Sequence, residues 1–408
     1  MPGLCYLTPN KEYKDNGIAR VLNFAGLVPP EQSRFFNWSK PFVQLETTRG
    51  CFNTCAFCVS GGEKPVRTLS IESIRERLQL IHAHGIKNVR VLDRTFNYNP
   101  RRAKELLRLF LEFHPDIRFH LEIHPALLSE ELKEELSLLP KGLLHLEAGI
   151  QSLREPVLEK SRRMGKLSDA LDGLRFLCAL PNMETHADLI AGLPLYHLHE
   201  IFEDVRTCRI CCGRNPTGVT QAASRNRNAP EAEELGIKYS PLPPYEVLQT
   251  HEISVSELQT ARQLSRLLDG FYNTPAWQAL TRELILNDEQ FLHRFLAYLT
   301  KANLIDQPMS LEKRGLILYE FCKQNYPEYQ IQAAIAWIEA GMSLKKLPAE
   351  KVWTKRQIPP ATWNIIYGEY KESLRLCFLP ADEKGEHGYW FGFESEIQKA
   401  SPVFKART

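Results

Sequence analysis

Thr48-Arg49-Gly50-Cys51-Phe52-Asn53-Thr54-Cys55-Ala56-Phe57-Cys58 places three thiols within eight residues. The run follows directly on Phe42 to Thr47, a short segment that reads as a β-strand. A loop in that position can wrap one inorganic cluster. Three cysteines leave one iron of a four-iron cube without a protein ligand, and an open coordination position is what a cluster needs to bind and reduce a small molecule. The competing reading is zinc. Structural zinc takes four ligands, usually as two separated pairs, and no further Cys-x-x-Cys or histidine partner stands in register with this triplet. The C-x3-C-x2-C spacing, with the aromatic Phe57 before the last thiol, points to Cys51, Cys55 and Cys58 as ligands of a [4Fe–4S] cluster.

Outward from this loop, short β-rich runs alternate with amphipathic stretches, the pattern of parallel strands joined by crossover helices. Strands are expected at Phe42 to Thr47, Asn88 to Leu92, Ile117 to Ile123, Leu143 to Ala148 and Glu184 to Ile190. Helices are expected at Ile71 to Ala83, Pro100 to Phe113, Ser129 to Leu138, Leu153 to Arg162 and Ser168 to Leu180. Five such units predict an α/β fold, a partial (β/α) TIM-like barrel whose reactive end is the carboxyl end of its strands. The Pro-rich joint from Tyr239 to Tyr245 precedes a stretch, Ser254 to about Lys346, that reads as almost entirely helical. The expected organisation is an amino-terminal arm over 1–40, the barrel over 41–240 and a mainly helical domain over 241–408.

Lys and Arg number 51 against 49 Asp and Glu in 408 residues, so a formal charge of +2 gives no whole-molecule reason to expect nucleic acid or an anionic membrane as partner. No apolar run approaches the roughly 20 residues that cross a bilayer, and the amino terminus lacks a secretory layout, which reads as cytoplasmic. Ten cysteines are too sparse for a disulfide scaffold. Cys5, Cys178, Cys322 and Cys377 stand alone among apolar or mixed neighbours, as small hydrophobes.

On this motif and strand order, residues 41 to 194 resemble the radical S-adenosylmethionine (SAM) superfamily. The resemblance implies that a reduced [4Fe–4S] cluster cleaves SAM to methionine and a 5′-deoxyadenosyl radical, which abstracts hydrogen from a substrate the sequence does not name. It also implies a small electron-donor protein of the flavodoxin or ferredoxin type. The second strand ends in Leu92-Asp93-Arg94-Thr95-Phe96-Asn97, where Asp93 is expected at the methionyl amino group and Asn97 there or at the substrate; the plain alternative is a capping Asp and a turn Asn. Glu147-Ala148-Gly149-Ile150-Gln151-Ser152 resembles the family's SAM-contacting E-x-G-x-Q-S segment. Arg162 or Arg163, near the end of the next helix, is placed to pair with the methionyl carboxylate. Asp188-Leu189-Ile190-Ala191-Gly192-Leu193-Pro194 resembles the G-x-I-x-G-L-P element that supports adenine, with Asp188 where the first glycine usually stands. Gly61-Gly62-Glu63 copies a SAM-binding string but follows the cysteines directly, and reads as a flexible loop.

Val91 to Asn97, Glu122-Ile123-His124-Pro125 and Ala232 to Tyr245 resemble one branch of the superfamily, in which a cobalamin-binding domain precedes the barrel and a helical domain of unassigned function follows it. Such cobalamin domains take roughly 120 to 150 residues of doubly wound α/β, more than a 40-residue arm can encode. The chain alone is therefore expected to hold cobalamin weakly or not at all. A cobalamin-dependent methyltransferase using cobalamin held elsewhere, and a non-catalytic iron–sulfur module, are the alternatives. Between Cys208 and Pro230 the resemblance breaks: relatives carry a sixth strand, whereas here Gly218 to Ala223 only faintly resembles one. Cys208, Cys211 and Cys212 lack a fourth ligand in register for a second cluster.

Overall fold

Six parallel strands in sequential order build the first part of the chain: β1 (Val43–Leu45), β2 (Asn88–Val91), β3 (Arg118–Ile123), β4 (Leu144–Gln151), β5 (Glu184–Ala191) and β6 (Pro216–Ala222). Helices α1 (Ile71–Ala83), α2 (Pro100–Leu111), α3 (Glu130–Leu138), α4 (Glu155–Lys160), α5 (Leu167–Ala179) and α6 (Leu198–Cys211) connect them, giving the expected partial TIM-like barrel. The faint strand after Cys212 is a full sixth strand, paired with β5 from Pro216–Thr185 to Ala222–Ala191. The computed structural model describes residues 3–17, 23, 26–58, 60–61, 63–211, 216–222, 231–242, 246–349, 374–394 and 401–407, side chains at 209–211, 216–222, 374–375 and 404 excepted. Cys212 and the sequence from 223 to 230 lie outside the described residues, as does the Cys211 side chain.

The helices start where side chains can cap them. Ser70 accepts from Ser73 N (3.1 Å) ahead of α1, Asn99 from Arg102 N (3.1 Å) ahead of α2, with Pro100 as first helical residue, and Ser129 from Leu132 N (3.3 Å) ahead of α3. Strands β1 to β5 alternate. Phe119, Leu121 and Ile123 on β3, Leu146 and Ala148 on β4, and Ala187 and Leu189 on β5 are buried on one face. Phe119 stacks on Phe110 of α2 at 4.1 Å, so this is the face the helices cover. The other face of the same strands carries Arg118, His120, Glu122, His145, Glu147, Gly149, His186 and Asp188, all half-buried in the barrel interior.

The amino-terminal arm forms a short hairpin, Cys5–Leu7 with Tyr13–Asp15, and Cys5 is exposed there, unlike the buried thiol expected of it; Cys178, Cys322 and Cys377 are buried. Further along, Glu31 pairs with Arg77 of α1 at 2.7 and 3.1 Å, with both side chains withdrawn from solvent. The chain divides into compact units at 1–258 and 259–408, within helix α7 (Val255–Leu267). The second unit is helical over α8 (Pro275–Asn287), α9 (Phe291–Lys301), α10 (Leu311–Asn325) and α11 (Gln330–Glu339). It adds an antiparallel sheet that the sequence reading lacked, β7 (Leu374–Pro380), β8 (Gly388–Glu394) and β9 (Phe404–Arg407). No described helix is long and apolar enough to cross a membrane.

Removing one partner of a buried ion pair strands the other charge, so Glu31→Ala is expected to destabilise the first unit by about 3 kcal/mol. Chemical denaturation followed by circular dichroism checks this, against exposed Glu130→Ala, expected within about 0.5 kcal/mol of the parent.

Candidate functional site

At the carboxyl end of β1 the chain must turn out of the sheet, and the buried Asp93 carboxylate captures it there. Asp93 Oδ1 accepts from Thr47 N and Thr48 N, both at 2.8 Å, and Oδ2 accepts from the Thr47 hydroxyl. Arg102 of α2 donates to Thr47 O (3.2 Å) and Leu69 O (2.8 Å) from the other side. The thiol loop starts from this clamp. A two-residue ladder, Thr48–Thr68 and Arg49–Arg67, forms its neck, and Cys51 N donates to Glu63 O at 3.0 Å.

Gly61 closes the loop. A side chain there would place its first carbon 2.5 Å from Cys55 O and 3.1 Å from Cys58 O, so only glycine lets the returning strand pass this close. Gly61 and Glu63, expected to be a flexible loop, are thus the loop's lid and seat; Gly62 lies outside the described residues. Cys51 and Cys55 are buried and Cys58 is half-buried, and Ala56 N donates to Ser161 O (2.9 Å), binding the loop to the end of α4. Burial pushes the Cys55 thiol up from its ordinary value, while the Arg163 guanidinium, 3.9 Å from its sulfur, acts in the opposite sense.

Beyond the loop, β4 bulges at its end. The β4–β5 register shifts between Gly149 and Gln151, and Gln151 takes a left-handed backbone (φ 74°) with its side chain folded back over Gly149. Arg163 donates to Gly149 O at 2.5 Å, and so joins the β4 end to Cys55. Ser152, Leu153 N, Arg154 and Tyr196 all bind buried Asp204 of α6, which fixes this turn. Gly192 (φ 85°) and Phe57 line one small cleft together with Ala56, Ser161, Leu193 and Pro194. Cys55, Gly149, Gln151 and Arg163 therefore meet around one point, and Phe57 with Gly192 beside the same loop.

Asp93 and Asn97, expected at the bound molecule, are each held by protein partners. Asn97 exchanges two hydrogen bonds with the backbone of His124, Nδ2 to O at 2.9 Å and His124 N to Oδ1 at 2.8 Å. His124 is buried at the end of β3, and burial first and Arg163 second push its pKa down to about 3, so the ring is neutral. Asn53 Nδ2 and Gln151 Oε1 are buried without a hydrogen-bond partner. Unsatisfied polar atoms of this kind beside three thiols suit a site built to receive a polar group. No three His, Cys, Asp or Glu side chains among the described residues converge on one point. A cube, with irons at separate corners, asks each thiolate to meet its own iron.

Apart from Glu147 and Asp188, the barrel-facing histidines and acids went unread in the sequence, although a signal was there. In a parallel sheet both faces are ordinarily apolar, yet Arg118-x-His120-x-Glu122, His145-x-Glu147 and Glu184-x-His186-x-Asp188 put titratable residues at period two on three successive strands. His120 Nε2 lies 2.8 Å from Glu147 Oε2, and the rings of His120, His145 and His186 follow at centroid spacings of 4.7 and 4.2 Å. Burial, then Glu147, raises Glu122 to about 6, and burial first lowers His145 to about 3.

Residues 45–208 match the model of the radical SAM superfamily. This part of the chain belongs to that superfamily. Radical SAM domains work with a [4Fe–4S] cluster and SAM, and the thiol loop, barrel and strand ends described above all lie inside the match. Residues 233–352 match a second model, a protein of unknown function (DUF4080), in accord with the branch that the sequence resembles. The radical SAM domain is similar to the ribosomal protein uS12 methylthiotransferase RimO of Moorella thermoacetica, 28% identical over 190 residues, 43% of each chain. An uncharacterized methyltransferase, PH0819, of Pyrococcus horikoshii is 39% identical over 69 residues, 16% of this chain and 15% of that one. The chain spans less than half the length of these curated relatives. The cobalamin-dependent SAM radical enzyme OxsB, solved with aqua-cobalamin bound, shares the fold at TM-score 0.50 and 14% identity, over 82% of this chain and 59% of its own.

Asp93→Ala would leave two buried amides without an acceptor, each costing about 1–3 kcal/mol. The expected result is a variant that melts earlier and takes up less iron on anaerobic reconstitution, although Asp93 is not an iron ligand; undiminished iron would show that the loop keeps its shape without the clamp.

Proposed function

We propose that this chain is a radical SAM enzyme in which Cys51, Cys55 and Cys58 each hold one iron of a [4Fe–4S] cluster and SAM takes the fourth. The observation that carries the reading is the thiol loop itself: three cysteines, sealed by Gly61 and clamped by Asp93 to the carboxyl end of β1, joined through Arg163 to Gly149. With both groups bound, the site would supply hydrogen-atom abstraction by a 5′-deoxyadenosyl radical, formed from SAM at the expense of one electron and with loss of methionine.

The chain's own residues bind and orient. Arg163, a planar cation at the loop, pairs with the methionyl carboxylate. Gly149 leaves room for close approach, and Gln151, with an unsatisfied oxygen, and Glu147 bind the amino or ribose end of SAM. Gly192 and Phe57 line the cleft that receives the adenine. Asp93 and Asn97 act through the loop and through His124, holding each in place. Electrons come from a small protein of the flavodoxin or ferredoxin type. The substrate faces the barrel interior, where the histidines and carboxylates of β3–β5 lie.

Anaerobic reconstitution tests the reading. Cys55→Ala is expected to lose most iron and sulfide while Cys178→Ala keeps both; equal iron in the two variants refutes the ligand assignment. With reductant, the parent chain is expected to release 5′-deoxyadenosine and methionine, and their absence from a fully loaded cluster would reduce the protein to an iron–sulfur module. Cobalamin retained through gel filtration would move the reading to methyl transfer. Glu147→Ala is expected to keep its cluster and weaken SAM about tenfold, the loss of one charge-assisted hydrogen bond.

A further inference from the structure

On the barrel face, Asp188 takes the place of the first glycine of the element that this segment resembles, directly in register with Gly149 of β4. Its side chain hydrogen-bonds the Glu147 carboxylate. Two carboxyl groups can share a hydrogen bond only if one of them carries a proton. His120 donates to the opposite side of Glu147, with Nε2 to Oε2 at 2.8 Å, so Glu147 is the anion and the proton belongs to Asp188. We propose that Asp188, as a protonated acid, is a positioning residue that aims the Glu147 carboxylate at SAM, so that SAM binding depends on a proton held in the barrel wall. This rests on the reading that Glu147 meets SAM.

The groups around the pair agree on where the proton sits. Glu147 accepts from two sides, and the His120 hydrogen bond holds its pKa below the usual carboxylate range. Asp188 is raised well above that range, by burial first and then by Glu147 and Glu122. From β3 the site sees His120 and Glu122, the latter also under the field of Arg94. From β4 it sees Glu147, with His145 a layer away, and from β5 His186, held neutral by burial. On the far side, β6 reads Pro216-Thr217-Gly218-Val219-Thr220-Gln221-Ala222 and contributes no titratable residue. Among the described residues no cation pairs with Asp188, and Glu147 and Glu122 both oppose its ionisation. As pH rises through its raised pKa, Asp188 loses the proton, the hydrogen bond becomes a repulsion, and Glu147 swings off its aim.

An asparagine has the shape of a protonated aspartate and donates at every pH. SAM affinity of the anaerobically reconstituted full chain, measured from neutral pH to about 9, the upper range documented for buried carboxyls, separates the cases. The parent is expected to lose affinity toward the alkaline end by about tenfold, the value of one hydrogen bond to a charged group. Asp188→Asn is expected to bind as the parent does at neutral pH and to keep that affinity. Asp188→Ala is expected to be weak throughout. The titration of SAM's own amino group is common to all three and cancels in the comparison. Identical pH profiles for parent and Asp188→Asn would overturn the proposal.

Infrared spectroscopy reads the proton directly. The parent at neutral pH is expected to show a carboxylic-acid carbonyl band that moves in heavy water, disappears from Asp188→Asn and shifts in frequency in Glu147→Gln, where its acceptor is changed, two variants of which either suffices should the other not fold. A band unchanged in both overturns the proposal. The infrared result does not depend on SAM cleavage: a chain that shows the band but releases no 5′-deoxyadenosine sinks the enzymatic reading alone, and one that cleaves SAM without the band sinks the shared proton alone.

Discussion

Everything at the reactive end of this barrel hangs from the Asp93 carboxylate. A strand that leaves a parallel sheet exposes amides that need acceptors, and a loop of thiols offers few. Asp93, at the end of the neighbouring strand, takes both Thr47 N and Thr48 N. The carboxylate is buried, and burial raises its pKa in spite of the threonine hydrogen bonds that favour its charged form. The cost of that desolvation is offset by the fixed direction it gives the chain, which brings Cys51, Cys55 and Cys58 out on the same side as Gly149, Gln151 and Arg163. Asn97, four residues on, repeats the device for His124.

A second constraint acts across the barrel interior. Parallel strands aligned residue by residue place side chains of the same parity in rows, so His120, His145, His186 and three carboxylates face one another at ring spacings near 4–5 Å. So many titratable groups cannot all be charged in a half-buried space. The site resolves this by keeping His145 neutral, lifting Glu122 to about 6 and leaving Glu147 as the anion, with His120 on one side and Asp188 on the other. The outcome at neutral pH is an ionised Glu147 held by His120, with the half-buried Glu122 close to its titration point and His145 neutral beside them.

The second unit follows simpler physics. Phe271, Phe291, Phe295 and Phe321 form one aromatic cluster at centroid distances of 4.6–6.1 Å, which ties α9 and α10 together and gives the helices a shared core. The antiparallel sheet at β7–β9 is buried on both faces, with Cys377 opposite Phe391 on one and Phe378 opposite Trp390 on the other.

Read alone, the sequence determined the strand and helix order, the helix starts near Ile71, Pro100 and Ser129, and the place of the three thiols after the first strand, because periodicity, turn chemistry and cysteine spacing are local. It determined the helical second part for the same reason. It left β6 faint, since a short strand rich in Thr, Gly and Pro has little apolar pattern and exists through pairing with β5. Which polar residues bind the protein's own backbone was decided by tertiary structure alone. Asp93 and Asn97 look like ligand contacts at a strand end, and only the adjacent strands show that Thr47, Thr48 and His124 already take their oxygens. Asp188 looks like a flaw in a glycine motif, and only the register of β5 against β4 brings it to Glu147, because a hydrogen bond between residues 41 positions apart in the chain is a property of the sheet and not of either segment.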